Sequence, residues 1–151
     1  MNEARLPRVT VAAVIEREGR FLFVEEVQDG RRVLNQPAGH LDPGESVVAA
    51  CAREVVEETA HRFEPTGLVG IYRYYYAAKD VTFLRFCFSG KILGEEKDRT
   101  LDKEIVALHW LTPAELKAKA PMHRSPLVQQ CVDDHLAGRR FSLEVLSKSH
   151  G

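Results

Sequence analysis

Between Gly39 and Glu58 the chain spaces a set of polar anchors that suits cation-dependent chemistry: Gly39, Glu45, then Arg53-Glu54-x-x-Glu57-Glu58. A helix over about Ser46 to Ala60 turns ~100° per residue, which brings Glu54, Glu57 and Glu58 into one arc on adjacent turns. Carboxylates this close repel one another, and a divalent cation with a preference for oxygen ligands, magnesium or manganese, would relieve that repulsion. Arg53 lies four residues before Glu57, a spacing that lets a guanidinium orient that carboxylate. Opposite the acids, Val48, Ala52, Val55, Val56 and Thr59 form the apolar stripe expected to seat the helix on a sheet.

With Gly39, Glu45, Arg53, Glu54, Glu57 and Glu58 in register, the segment resembles the Nudix box of the Nudix hydrolases. It departs from that pattern at Ala60, where the box has glycine, and at His61, where it has an apolar residue. Without glycine, a left-handed helix exit at position 60 is disfavoured. The resemblance implies that Glu54, Glu57 and Glu58 bind metal and that the Gly39 carbonyl assists. It implies further that Glu45 acts through water or as a support behind the ligands, and that a loop carboxylate outside the box completes the site. Glu104 is the candidate for that carboxylate, ahead of Glu95 and Glu96; Glu54 or Glu104 is the general base.

Outside the box, NQPAGHLDPGES, TFLRFCF and RSPLVQQCVDDHLAGRRFSLEVL are similar to the NudJ-like phosphatase branch of the family. This implies an α/β fold with a mixed sheet sandwiched between helices. It also implies magnesium-dependent release of orthophosphate from nucleoside di- and triphosphates and from the pyrophosphorylated thiamine pyrimidine precursor. Nucleotide sugars, dinucleoside polyphosphates and oxidised nucleotides remain alternative substrates, and a nucleotide-sensing module without catalysis is the alternative of another class.

The elements that must position these residues are read from hydrophobic pattern. Val9 to Ile15 is a near-continuous β-branched run, the mark of a buried strand, and Arg20 to Val27 is expected to be its hairpin partner. Val33 to Gln36 follows a turn, and Pro43-Gly44 delivers Glu45 to a helix capped by Ser46. Leu68 to Ala77 and Val81 to Ser89 are expected to pair antiparallel, Gly90 to Arg99 to form a charged loop, and Ile105 to Leu111 to add a strand. Thr112-Pro113 and Ser125-Pro126 start two further helices, the second stopping at Gly138, and Phe141 to Leu146 is read as a short terminal strand.

Three other features bear on ligands. His40 beside the box is either a substrate contact or a hydrogen-bonded loop histidine. Tyr72, Tyr74, Tyr75 and Tyr76 serve packing, with one or two of them lining a pocket. Arg85 sits among apolar neighbours, so its burial demands a partner such as a carboxylate or a phosphate.

Composition bounds the rest. The 151 residues, 44% apolar and 28% charged, fit one domain spanning the whole chain. A net charge of -1 from 21 basic and 22 acidic residues gives no basic footprint for nucleic acid. Cys51, Cys87 and Cys131 show no pairing pattern and read as core thiols of a cytoplasmic protein. The start, MNEARLPRV, lacks the apolar core of a signal peptide, and no apolar run is long enough to span a membrane. The expected partner is a small phosphorylated substrate, with the protein a monomer or homodimer.

Overall fold

The computed structural model describes residues 6–148; the first five residues of the MNEARLPRV segment and the last three of the chain lie outside it. The elements in chain order are β1 (Arg8–Val14), β2 (Glu16–Arg17), β3 (Arg20–Gln28), β4 (Arg31–Asn35), β5 (Ala38–His40), α1 (Val47–Thr59), β6 (His61–Tyr76), β7 (Val81–Glu95), β8 (Ile105–Leu111), α2 (Pro113–Ala118) and α3 (Leu127–Leu136). One sheet runs β5-β1-β7-β6 and is mixed, because β1 is parallel to β7 and antiparallel to β5. In the other, β3 pairs antiparallel with β2, β4 and β8.

The apolar run of β1 is buried on both faces, which explains its lack of polar alternation. Val11, Ala13 and the following Ile15 pack with Ala50, Cys51 and Val55 of α1, while Ala12 and Val14 join the cluster that contains Val128, Cys131 and Val132 of α3. The mixed sheet therefore lies between helices, the expected α/β/α arrangement.

Several local expectations are corrected. Residues 20–27 are not the hairpin partner of 9–15, since the chain leaves one sheet for the other after β1. The tight turn at Glu18-Gly19, with φ of 53° and 77°, instead joins β3 to the two-residue β2. Residues 90–95 are not loop but the end of β7. Because β6 begins directly after α1, its first residues require a partner, and His61 pairs with Glu95. Phe141 makes a single bridge to Leu68, and a 3-10 turn at Leu143–Val145 replaces the expected strand. Ser125 is not the N-cap of the last helix: Pro126 takes that position without a side-chain cap bond, and Ser125, one residue earlier, accepts from the Leu127 N–H at 3.2 Å.

Helix α1 starts as expected, with Ser46 Oγ accepting from Ala49 N–H at 3.1 Å. Its buried arc comprises Ala50, Cys51, Val55, Glu58 and Thr59, and Val48, Ala52 and Val56 are only half-buried. The helix is rotated toward Glu58, which reaches the backbone of β5. Ala60 adopts the left-handed conformation (φ 60°, ψ 14°) in spite of its side chain. The cost of about 1 kcal/mol is offset by bonds on both sides of the peptide: Ala60 N–H to Val56 at 2.9 Å, and Glu96 N–H to the Ala60 carbonyl at 2.7 Å.

Candidate active site

Arg53 organises the acidic face of α1. Its Nε and Nη2 donate to the two oxygens of Glu45 at 3.0 and 2.7 Å, and Nη1 donates to Glu54 at 2.9 Å and Glu57 at 3.1 Å. Nη2 also reaches the His40 carbonyl at 3.0 Å, tying the helix to β5. The sequence assigned Arg53 to Glu57 alone; in the fold one guanidinium hydrogen-bonds three carboxylates and lies 3.3 Å from a fourth, that of the exposed Asp42. The paired Arg53 holds the Glu45 carboxyl below its ordinary range.

Gly39 lies in β5 opposite Val11, in a strand and not in a turn. A Cβ at this position would overlap the Glu54 carboxylate, so the absence of a side chain lets Glu54 fold over the strand. Carboxylate oxygens of Glu54, Glu57 and Asp102 all lie within 4.8 Å of one another. Asp102 reaches this position because its N–H donates to the Glu57 carbonyl at 3.1 Å, which folds the loop before β8 back onto α1. Sequence reasoning passed over Asp102 in favour of Glu104 two residues on, and both line the same cavity. Glu95 and Glu96 do not line it; Glu96 pairs with Arg99 at 3.1 Å.

Glu58 shares the cavity but not the three-carboxylate cluster. Only 5% exposed, it accepts a hydrogen bond from the Ala38 N–H at 2.9 Å. Burial pushes its carboxyl up to about 9, opposed by that N–H and reinforced by Glu26, Glu54 and Asp102. Burial likewise raises Glu54 to about 7 against the pull of Arg53, and Asp102 is raised by burial, Glu57 and Glu104. Such a set holds protons that a cation would displace. Its donors are all carboxylate oxygens, converging and short of positive charge, which fits a hard divalent cation.

The cavity has a volume of about 390 Å³. Away from the acids its wall is aromatic: Tyr74, Tyr76 and Phe83 line it, with the two tyrosine rings stacked at 6.5 Å and 19°. Tyr72 is buried instead, donating to Asp134 at 2.7 Å, and Tyr75 is exposed and donates to Asp80. His40 is exposed and lines the cavity. Arg85 is buried at the wall with the side-chain amides of Asn35 and Gln36 as partners, where the sequence suggested a carboxylate or phosphate. Arg124, not singled out from sequence, also lines the cavity and pairs with Glu26 at 2.6 Å.

Comparison with known proteins agrees with this geometry. The NUDIX domain profile matches residues 5–131. The chain is 38% identical over 141 residues to Phosphatase NudJ of Shigella boydii serotype 4 and of Escherichia coli K12, covering 93% of this chain and 90% of each relative. Among solved structures, a NUDIX hydrolase from Nitrosomonas europaea is 50% identical and superposes with a TM-score of 0.93, covering 95% of this chain and 98% of that one. A MutT NUDIX hydrolase from Burkholderia pseudomallei, 23% identical, shares the fold with a TM-score of 0.73 over 85% of this chain and 98% of its own.

Proposed function

The chain belongs to the Nudix family and is a Nudix hydrolase; on that premise we propose that it removes the terminal phosphate from small organic pyrophosphates. The substrates in this reading are nucleoside di- and triphosphates and the pyrophosphorylated thiamine pyrimidine, the cofactor is magnesium, with manganese able to replace it, and the product is orthophosphate. The observation that carries it is the meeting of Glu54, Glu57 and Asp102 within 4.8 Å beside an aromatic-walled cavity sized for one small ligand. The likeness to Phosphatase NudJ over nine-tenths of both chains supports the choice of product.

When bound at this cluster, a divalent cation would neutralise phosphate charge and lower the pKa of water. Glu54, Glu57 and Asp102 would hold it, and Glu58 and the Gly39 carbonyl would complete the set that the box implies. Arg53 keeps Glu54 and Glu57 oriented, and Glu45 acts behind them through its paired bonds to Arg53. Glu104, in the cavity but outside the cluster, accepts the proton of the attacking water; Glu54 is the other candidate for that role. The water oxygen bonds to phosphorus, the anhydride P–O bond breaks, and the bridging oxygen keeps the electron pair. Tyr74, Tyr76 and Phe83 offer a face for the organic ring, with His40 and Arg85 as further contacts.

We read the protein as a one-domain cytoplasmic enzyme, monomeric or homodimeric, that acts on neither nucleic acid nor membranes. Three buried free cysteines support a reducing compartment, and among the described residues no helix is long and apolar enough to cross a membrane. The test identifies the products, orthophosphate or two phosphate esters, formed with magnesium from nucleoside di- and triphosphates, the thiamine pyrimidine pyrophosphate, a nucleotide sugar and a dinucleoside polyphosphate. Orthophosphate from the first three supports the reading; turnover confined to the last two, giving nucleotides or a sugar phosphate, overturns the substrate assignment.

A further inference from the structure

Among the described residues two arginines line the cavity, and only Arg124 is paired with a carboxylate. Arg124 is matched by Glu26 at 2.6 Å. Arg85 is 7% exposed, and its oxygen partners are neutral amides: Nη1 donates to Gln36 Oε1 at 2.8 Å and lies 3.8 Å from Cys131 Sγ, and Nη2 donates to Asn35 Oδ1 at 2.9 Å. Among the described residues it forms no ion pair with a carboxylate. Gln36 is fixed in turn, its Nε2 donating to the Val128 carbonyl in the first turn of α3 at 2.7 Å. Neutral amides orient a buried guanidinium without balancing its charge, so Arg85 is held rigid with no carboxylate to balance it among the described residues.

We propose that Arg85, positioned by Asn35 and Gln36, receives the terminal phosphate of the substrate and selects pyrophosphates that end in a free phosphate over those capped at both ends. The proposal rests on the hydrolase reading above and adds the residue that sets its substrate class. A terminal phosphate carries nearly two negative charges and three acceptor oxygens, whereas a bridging one carries a single charge. A guanidinium matches that end geometrically, with two parallel N–H donors. Asn35, Gln36 and Cys131, which contact the guanidinium, are all at most 4% exposed, so a second substituent continuing past Arg85 would have to displace buried side chains.

The discriminating variant is Asn35→Asp, which keeps the side-chain shape and supplies Arg85 with an internal carboxylate. Thermal unfolding is measured in metal-free buffer with and without inorganic phosphate, for wild type, Asn35→Asp and Arg85→Met. Phosphate is expected to raise the wild-type melting temperature, and the shift to shrink at least fivefold in Asn35→Asp, whose unliganded melting temperature is not lowered. In steady-state kinetics, the kcat/KM preference for a nucleoside diphosphate over its methyl-capped analogue is expected to fall at least tenfold in Asn35→Asp, mainly through KM. A wild-type phosphate shift in Asn35→Asp, no phosphate shift in the wild type, or equal losses on both substrates would overturn the proposal. A wild type that hydrolyses neither substrate yet shows the Asn35-sensitive phosphate shift would sink the hydrolase reading and leave the phosphate receptor standing.

Discussion

The Glu54 carboxylate occupies the space that a Cβ on Gly39 would fill. The strand β5 and the acidic face of α1 are thereby in direct contact, and the position of a proposed metal ligand depends on a residue fifteen places earlier. Gly39→Ala is expected to keep the fold, because the carboxylate is the movable end of a flexible side chain. Displacing it by about 1 Å should lower kcat about 100-fold, while circular dichroism and the melting temperature stay near wild type. Kinetics and thermal unfolding of the one variant check both parts.

Arg53 bridges Glu45, Glu54 and Glu57, so its removal leaves three aligned carboxylates without their shared cation. Arg53→Ala is expected to reduce kcat/KM by about 100-fold, in the range seen when groups behind metal ligands are lost, and to cost about 2 kcal/mol of stability. Arg53→Lys should restore little of either, because an ammonium cannot present the planar fork that serves Glu45 and Glu54 together. Denaturant unfolding alongside steady-state kinetics measures the two effects.

Without metal, the buried carboxyls set a pH dependence with a definite sign. Glu54 and Glu58 titrate at about 7 and about 9 against an ordinary value of 4.5, so the folded state binds more protons than the unfolded state across that window. Their contribution to stability is therefore full below 4.5 and is lost as pH rises through about 7 and then about 9. The melting temperature in EDTA is expected to fall from pH 5 to pH 9, and Glu58→Gln to flatten the slope. Added magnesium should stabilise the protein increasingly as pH rises, since it displaces those protons.

How much of this was legible beforehand varied with the range of the interaction. The position of Glu54, Glu57 and Glu58 on one helix face follows from a 3.6-residue period and needs no tertiary information. Asp102 joins Glu54 and Glu57 only because its loop folds back through the bond from Asp102 N–H to the Glu57 carbonyl, and nothing local to residues 96–104 encodes that return. Adjacent strand-like runs at 9–15 and 20–27 suggested a hairpin, yet a change of sheet between them depends on β7 being available as the parallel partner of β1. The charged run after Gly90 resembled a loop by composition, but β6 required a partner for His61 to Glu64 and residues 91–95 supplied it. The partners of Arg85 were similarly out of reach, because Asn35 and Gln36 are brought to it from another element.

Asp102 and Glu104 line one cavity and can be separated by function. Asp102→Asn is expected to raise the magnesium concentration needed for half-maximal activity by about tenfold or more. Glu104→Gln should lower kcat by about 100-fold at saturating metal, the scale of a lost general base, without changing that half-saturation. If Glu104→Gln leaves kcat intact and Glu54→Gln abolishes it under saturating metal, Glu54 is the base.

The most direct measurement is orthophosphate release from a nucleoside diphosphate across a magnesium titration, for wild type and Glu57→Gln. The expected result is metal-dependent turnover by the wild type, reduced at least about 100-fold in Glu57→Gln with an unchanged circular dichroism spectrum. Turnover at the wild-type rate in Glu57→Gln, or wild-type turnover that persists in EDTA, would contradict the assignment of the Glu54, Glu57 and Asp102 cluster as the metal site of the reaction.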